Sequence, residues 1–492
     1  MATIKDITTL CKSGKIQEGY ETALADWNND PDNVWTQREV GWALYYLIKE
    51  DVEKGNCDAI CEHLGKLTEL TQLDMSNDSL IFDNVLWKLS EFVKTVPADN
   101  PIPVSKLFSI VQNWRFAPSR PYSYFMQNCL KFDAWDQMTA FIEWWNLDSL
   151  LADDFQQFKM ENGKTVMALA ERVLITYSKA LLKLKDQEKI GQFIPKLEAF
   201  AETYPEMLYL GYFCGKLLIA QGASQDETLK KLIPFVGKKV NEFWAWQVMS
   251  EIYRDDIEKR MACLLRAVHC KTQESFLGKI RIALAELYII KNDYARAKHH
   301  IDKVSSCYLE QGWKIPSQIR IWAGQDWIHT TKSDHTDPMD YRTLTDDILY
   351  SDAKNCTAIV TYVDVQTKRM TIIYGLKKKL TVKYAYLHIR PTEGMFLNIK
   401  YVSERDNIRV VMATPYSGSM DVPYLKEIYG MIDKKQENPF AFIKGATDKY
   451  FVTPNIVSKY NLHGGESVNA IVAYDFNKKK SEWNWICISI NK

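Results

Sequence analysis

The sequence predicts a two-part protein, a long α-helical repeat followed by two small β-barrels. Three observations carry this expectation. Apolar residues recur at three- and four-residue spacing up to about Trp327. From Cys356 the period becomes two, in segments dense in Val, Ile, Thr and Tyr. The charge divides with the pattern. Residues 356–492 hold 20 Lys and Arg against 12 Asp and Glu, a net of +8, and the preceding residues hold 42 against 50, a net of −8.

A chain of 492 residues is long enough for two to four domains, each with its own core. No apolar run reaches the roughly 18 residues that span a bilayer, so no membrane partner is expected. The start, "MATIKDITTLCKSGK", lacks an apolar segment ahead of a small-residue cleavage site. The 10 cysteines follow no framework, and several sit inside apolar helical stretches such as "YFCGKLL". Reduced thiols and a cytoplasmic protein are the expectation.

Residues 1–330 read as paired helices. In "IRIALAELYIIKNDYARAKHHIDKV", Leu284, Ala285 and Tyr288 share one helix face. A turn at Lys291–Asp293 leads to a second helix with Tyr294, Ala297, Ile301 and Val304. Small residues at Ala285 and Ala297 let the two helices approach closely. This spacing resembles the tetratricopeptide repeat. The same pattern recurs in "GKIQEGYETALADWNNDPDN", with Gly14, Ile16, Gly19, Ala23 and Pro31, and in Trp42, Ala43 and Tyr46 of the next helix. Trp246, Met249, Ser250 and Tyr253, with Leu264 and Ala267, form a further partial match. The resemblance implies a TPR-like α-solenoid that buries each pair against its neighbours and offers a surface to a protein partner. The aromatic stretch "FIEWWNLDSL" reads as core, with a binding groove as the alternative.

Residues 331–355, including "HTTKSDHTDPMDYRTLTDD", are rich in Asp and Thr and read as a linker. Two β-barrels follow, at 356–420 and 421–492. The first holds five strand-like segments in about sixty residues, which suits an OB-fold. The second runs through "FAFI", "KYFVT", "ESVNAIVAYDF" and "EWNWICISI", with a hairpin at Asn477–Ser481. Each places a glycine, Gly394 or Gly465, just before a long alternating strand, and this predicts tandem copies of one barrel type.

"NPFAFI" and "YFVTP" resemble the paired RNA-binding strands of cold-shock domains, which read Lys-Gly-Phe-Gly-Phe-Ile and Val-Phe-Val-His-Phe. The resemblance implies that Phe440, Phe442 and Phe451 stack on bases. Asn438 stands in place of the motif lysine, Pro439 and Ala441 of its glycines, Thr453 of the histidine and Pro454 of the last aromatic. Independently of any family, alternation in "EWNWICISI" puts Ile486, Ile488 and Ile490 on one face and Trp483 and Trp485 on the other. If the isoleucines fill the barrel, the tryptophans point outward and need a cover. Single-stranded nucleic acid provides one, with Lys444, Lys478, Lys479 and Lys480 near phosphate in the second barrel and Lys377, Lys378, Lys379 and Lys383 in the first. The alternatives are tryptophans packed between domains and lysines that only solvate hairpin turns.

No catalytic or cofactor motif is found: there is no Gly-rich phosphate loop and no GxGxxG after a strand. Cys57, Cys61 and His63 lack a second ligand pair, the adjacent His269 and Cys270 point in different directions on a helix, and His299 and His300 have no ligand partner that the sequence identifies, so neither metal nor cofactor is expected. The sequence thus predicts a non-enzymatic adaptor. Its solenoid would bind a protein and its barrels single-stranded nucleic acid, RNA rather than DNA. The architecture resembles the repeat-plus-cold-shock accessory proteins of bacterial defence loci. The alternative is a pure protein–protein scaffold.

Overall fold

Short polar turns cut the first two-thirds of the chain into helices, and their side chains cap the helix that follows. Asp256 accepts from the Lys259 amide and Asp293 from the Arg296 amide, while Thr3 and Asp6 form a capping box. The computed structural model describes residues 2–163, 165–387, 389–404, 407–418, 421–477 and 481–491. It divides into a helical unit, Met1–Thr336, and a β-rich unit, Asp337–Lys492.

In the helical unit successive helices pack on one another: Ile4–Lys12 on Ile16–Asn29, Phe243–Ile252 on Ile257–Val268, Gly278–Ile290 on Tyr294–Glu310. The residues with repeat-like spacing supply the contacts. Leu284, Ala285, Tyr288, Ala297, Ile301 and Val304 are all buried. Gly19 permits one close approach, since a Cβ there would lie 2.8 Å from Cys11 Sγ. In the aromatic stretch Phe141 and Trp145 are fully buried, as core side chains are. In this unit sequence patterning misses a hairpin of two short strands, β1 (Phe158–Lys159) and β2 (Thr165–Val166). Strands that short carry no readable period.

The segment 331–355, expected as a turn-rich linker, instead contains a helix, Tyr341–Leu349: Asp340 caps it through the Thr343 amide, and Tyr341, Thr345, Ile348 and Leu349 bury one face. It leads to a five-stranded sheet of β3 (Lys354–Asp364), β4 (Arg369–Gly375), β5 (Lys378–Lys383), β6 (Phe396–Glu404) and β7 (Asn407–Pro415), in the order β5-β4-β3-β6-β7. A second set follows: β8 (Leu425–Asp433), β9 (Ala441–Lys444), β10 (Lys449–Val452), β11 (Ser467–Asn477) and β12 (Glu482–Asn491). It closes as a barrel in the order β10-β12-β11-β8-β9. With the helix Pro454–Lys459 between the third and fourth strands and one parallel pair, β10 with β12, this is an OB-type barrel.

The two β sets share strand order and junctions. The Gly394 amide donates to Val360 O and the Gly465 amide to Ile432 O, each at 2.8 Å. Both glycines have φ near +90°, a conformation that a side chain would strain. Each set also has a β-bulge at the same distance beyond its glycine, at Lys400/Tyr401 and at Ile471/Val472. These are tandem copies of one topology.

One expectation needs correction. Among the described residues the first copy is an open sheet, because β5 and β7 are not paired. In the second copy the closing pair is Phe451 with Ile486. Counting from the bulges, the first copy has the exposed, charged Arg409 where the second has Ile486. A charge there resists pairing with a strand neighbour.

The copies are docked. Ile359 and Ile373 of the first pack with Leu425, Ala473 and Ile488 of the second in one buried cluster. Lys379 Nζ meets Asp475 Oδ1 at 2.5 Å across the seam.

Candidate nucleic-acid interface

Alternation in the short strands β9 and β10 sorts their side chains. Ala441 and Ile443, with Tyr450 and Val452, fill the barrel. Phe442 and Phe451 therefore stand on the outer face, directly opposite each other in the register. Phe440 joins them from just before β9. The ring centroids lie 5.9 Å apart for Phe440–Phe442, and 5.7 Å for both Phe440–Phe451 and Phe442–Phe451. All three rings are half-buried, so the cluster presents an aromatic surface to solvent.

Basic groups border it. Lys444 and Lys449 face each other across β9 and β10, and both are exposed. Lys444 Nζ lies 2.9 Å from Asp433 Oδ2, and Lys449 Nζ lies 4.0 Å from the same oxygen. The hydrogen bond from Lys444, with the charges of Lys444, Lys449 and Lys435, holds the Asp433 carboxyl below its ordinary range. Three lysines, Lys435, Lys444 and Lys449, thus act on the Asp433 carboxylate at this edge.

The tryptophans lie differently from the expectation. The bulge between β11 and β12 skips Ile488, so Cys487 and Ile490 point into the barrel while Ile488 packs into the seam. Ile486 shares the outer face with Phe451, its partner in the register. Trp485 instead packs against the barrel core, under Lys426 Nζ at 4.4 Å from the ring centroid. A strict two-residue alternation through Ile490 fails because the bulge resets the parity. Trp483 and Trp485 pair with Phe476 and Tyr474 in the register, and the four rings form a ladder with centroid separations of 5.4 to 6.0 Å.

Of the predicted basic residues, Lys377 and Lys379 line a groove between the two copies, and Lys379 holds Asp475 there. Lys378 and Lys383 are exposed on β5. Lys478, Lys479 and Lys480 lie outside the described residues. Patterning overlooks Tyr474, Phe476, Lys426 and Lys449. The first two are legible in the sequence, because pairing "AYDF" with "EWNW" as a hairpin places aromatic against aromatic.

Among the described residues no group of three His, Cys, Asp or Glu side chains is arranged to hold a metal. His63 Nδ1 lies 2.7 Å from Asp51 Oδ2, and burial, with Cys57 beside it, pushes the Cys61 thiol up to about 12, which keeps it protonated. Among the described residues no helix is long and apolar enough to cross a membrane.

Comparison with known families gives two matches. Residues 208–347 match a domain of unknown function (DUF7017). Residues 426–490 match the S1/CSD-like domain 2 of the TOTE conflict systems. The second match spans β8 to β12 and includes the phenylalanine cluster. No curated protein matches the chain.

Proposed function

We propose that the closed barrel binds single-stranded nucleic acid, with Phe440, Phe442 and Phe451 stacking on bases and Lys444 and Lys449 meeting phosphates. The observation that carries this reading is the cluster itself. Three mutually touching, half-exposed rings occupy the outer face of strands two and three of an OB-type barrel, with lysines at their edge. Base–aromatic stacking contributes about 1–3 kcal/mol per base and tolerates any base, so binding is weakly sequence-specific. The S1/CSD-like match and the +8 charge of residues 356–492 support the same reading. The reading extends to a non-enzymatic accessory protein of a conflict system, with RNA the favoured ligand. The paired helices of the first unit would act as a TPR-like arm for a protein partner.

The test is fluorescence anisotropy of the full chain with labelled single-stranded RNA and DNA at about 50 and about 200 mM salt. The expected result is salt-sensitive binding that falls roughly five-fold to a hundred-fold in Phe442→Ala or Phe451→Ala. Absence of binding at the lower salt rejects the reading and returns the cluster to a protein–protein surface.

A further inference from the structure

The two copies can be compared position by position. With Gly394 set on Gly465, Val360 falls on Ile432, and their partners Ile372 and Ile443 coincide. Thr371 then stands where Phe442 stands, and Thr381 where Phe451 stands. The threonines are register partners as the phenylalanines are, and their hydroxyl oxygens lie 3.1 Å apart. Ile373 occupies the position of Lys444 and is buried in the seam. The face that carries rings in the second copy thus carries hydroxyls in the first, turned toward its neighbour.

That face opens into a groove of about 530 Å³ between the copies. Thr371 and Thr381 line it with Tyr362 and Lys377 on one side, and Trp483 and Ile486 line the other. Tyr362 is 48% exposed and Lys377 is exposed. Ile486 is the register partner of Phe451, so the groove begins where the phenylalanine cluster ends. Two carboxylates also line it, and each has a lysine: Asp475 holds Lys379 at 2.5 Å, and Glu393 lies 4.0 Å from Lys459. An aromatic ring, hydroxyls and a cation in a cleft continuous with an aromatic platform suit one further stretch of the same ligand.

We propose that a single strand bound on the phenylalanine cluster continues past Ile486 into this groove. There a base would stack on Tyr362 and a phosphate would meet Lys377, so that the two copies bind as one site. This rests on the nucleic-acid reading of the closed barrel.

The experiment is a length series of single-stranded RNA, about 4 to about 12 nucleotides, titrated against the full chain. Phe442→Ala, Tyr362→Ala and Lys377→Gln are the variants. The expected result is affinity that rises with length, and Tyr362→Ala and Lys377→Gln that each remove this gain while leaving the shortest oligomer unchanged. The loss for the longest oligomer in Tyr362→Ala should be roughly five-fold to a hundred-fold. Equal affinity at all lengths overturns the inference, as do both groove variants binding the longest oligomer like the native chain. Loss at every length in Tyr362→Ala also overturns it. In those three cases Phe442→Ala still reports on the platform. If no oligomer binds, the platform reading falls and the groove with it.

Discussion

The ammonium group of Lys379 and the carboxylate of Asp475 meet at 2.5 Å across the seam between the two β copies. The same carboxylate oxygen accepts the Phe476 amide at 2.7 Å, and Asp475 is buried. Lys379 is therefore engaged in docking the copies. Asp475→Ala should loosen the seam by about 1–3 kcal/mol, the cost of leaving buried polar groups unpartnered. The measurement is amide hydrogen exchange of β4 and β11 in the full chain. Exchange should quicken in both strands, and Lys379→Ala combined with Asp475→Ala should add little to either alone. Unchanged protection would show that the apolar cluster alone holds the seam.

The paired glycines offer a sharper comparison. Alanine at Gly394 or Gly465 meets the same backbone strain, about 1–2 kcal/mol for a left-handed conformation. The surroundings differ. A Cβ at Gly394 would lie 3.0 Å from the Ser489 Cβ, whereas nothing lies within 4 Å of one at Gly465. Gly394→Ala should therefore be the more destabilising in denaturant unfolding, by about 1 kcal/mol or more. Equal effects would mean that the seam relaxes freely around Ser489.

Much of this arrangement is legible in the sequence. The change of period near Cys356, the glycine before each long strand and the "PFAFI…YFV" pairing locate the two β copies and the phenylalanine face, because each depends on local alternation. What is hidden depends on pairing between distant strands. The bulge opposite Ile471/Val472 puts Ile490 out of phase with Ile486 and Ile488, so alternation read through Ile490 turns the wrong face of β12 to the barrel core. The equivalence of Thr371 with Phe442 emerges only once two ladders can be superposed. The seam contact of Lys379 joins residues far apart in the chain, where charge counting sees only a basic turn.

In the helical unit, His300 is buried on the helix Tyr294–Glu310, stacked on Tyr288 at 5.5 Å and 3.1 Å from Arg281 Nη1. Burial, and then the positive charge of Arg281 with His299 and His269, lowers its pKa to about 3. The unfolded chain, where the imidazole titrates near its ordinary 6.5, then binds a proton that the folded chain refuses. The contribution of His300 to stability is full above about pH 6.5 and is lost as pH drops toward 3, by on the order of 1 kcal/mol per unit. Urea midpoints followed from pH 7 to 4 should decline, and His300→Gln should flatten the decline. An identical slope in the variant would assign the acid sensitivity elsewhere.

The two tryptophans of "EWNW" should separate in their effects. Trp485 packs on the barrel core beneath Lys426, and Trp483 lines the groove. Trp485→Ala removes half-buried apolar surface, and barrel stability should fall by about 1–3 kcal/mol. Trp483→Ala should cost less stability than Trp485→Ala, because Trp483 stacks on Tyr474 and Phe476 without packing against the barrel core. Its effect should appear instead in the affinity for long oligomers, with the shortest ones bound as before. Denaturant unfolding and anisotropy on the same two proteins read both quantities. If Trp485→Ala left stability unchanged but abolished binding of the shortest oligomer, Trp485 would belong to the platform, and its place against the core would not explain its role.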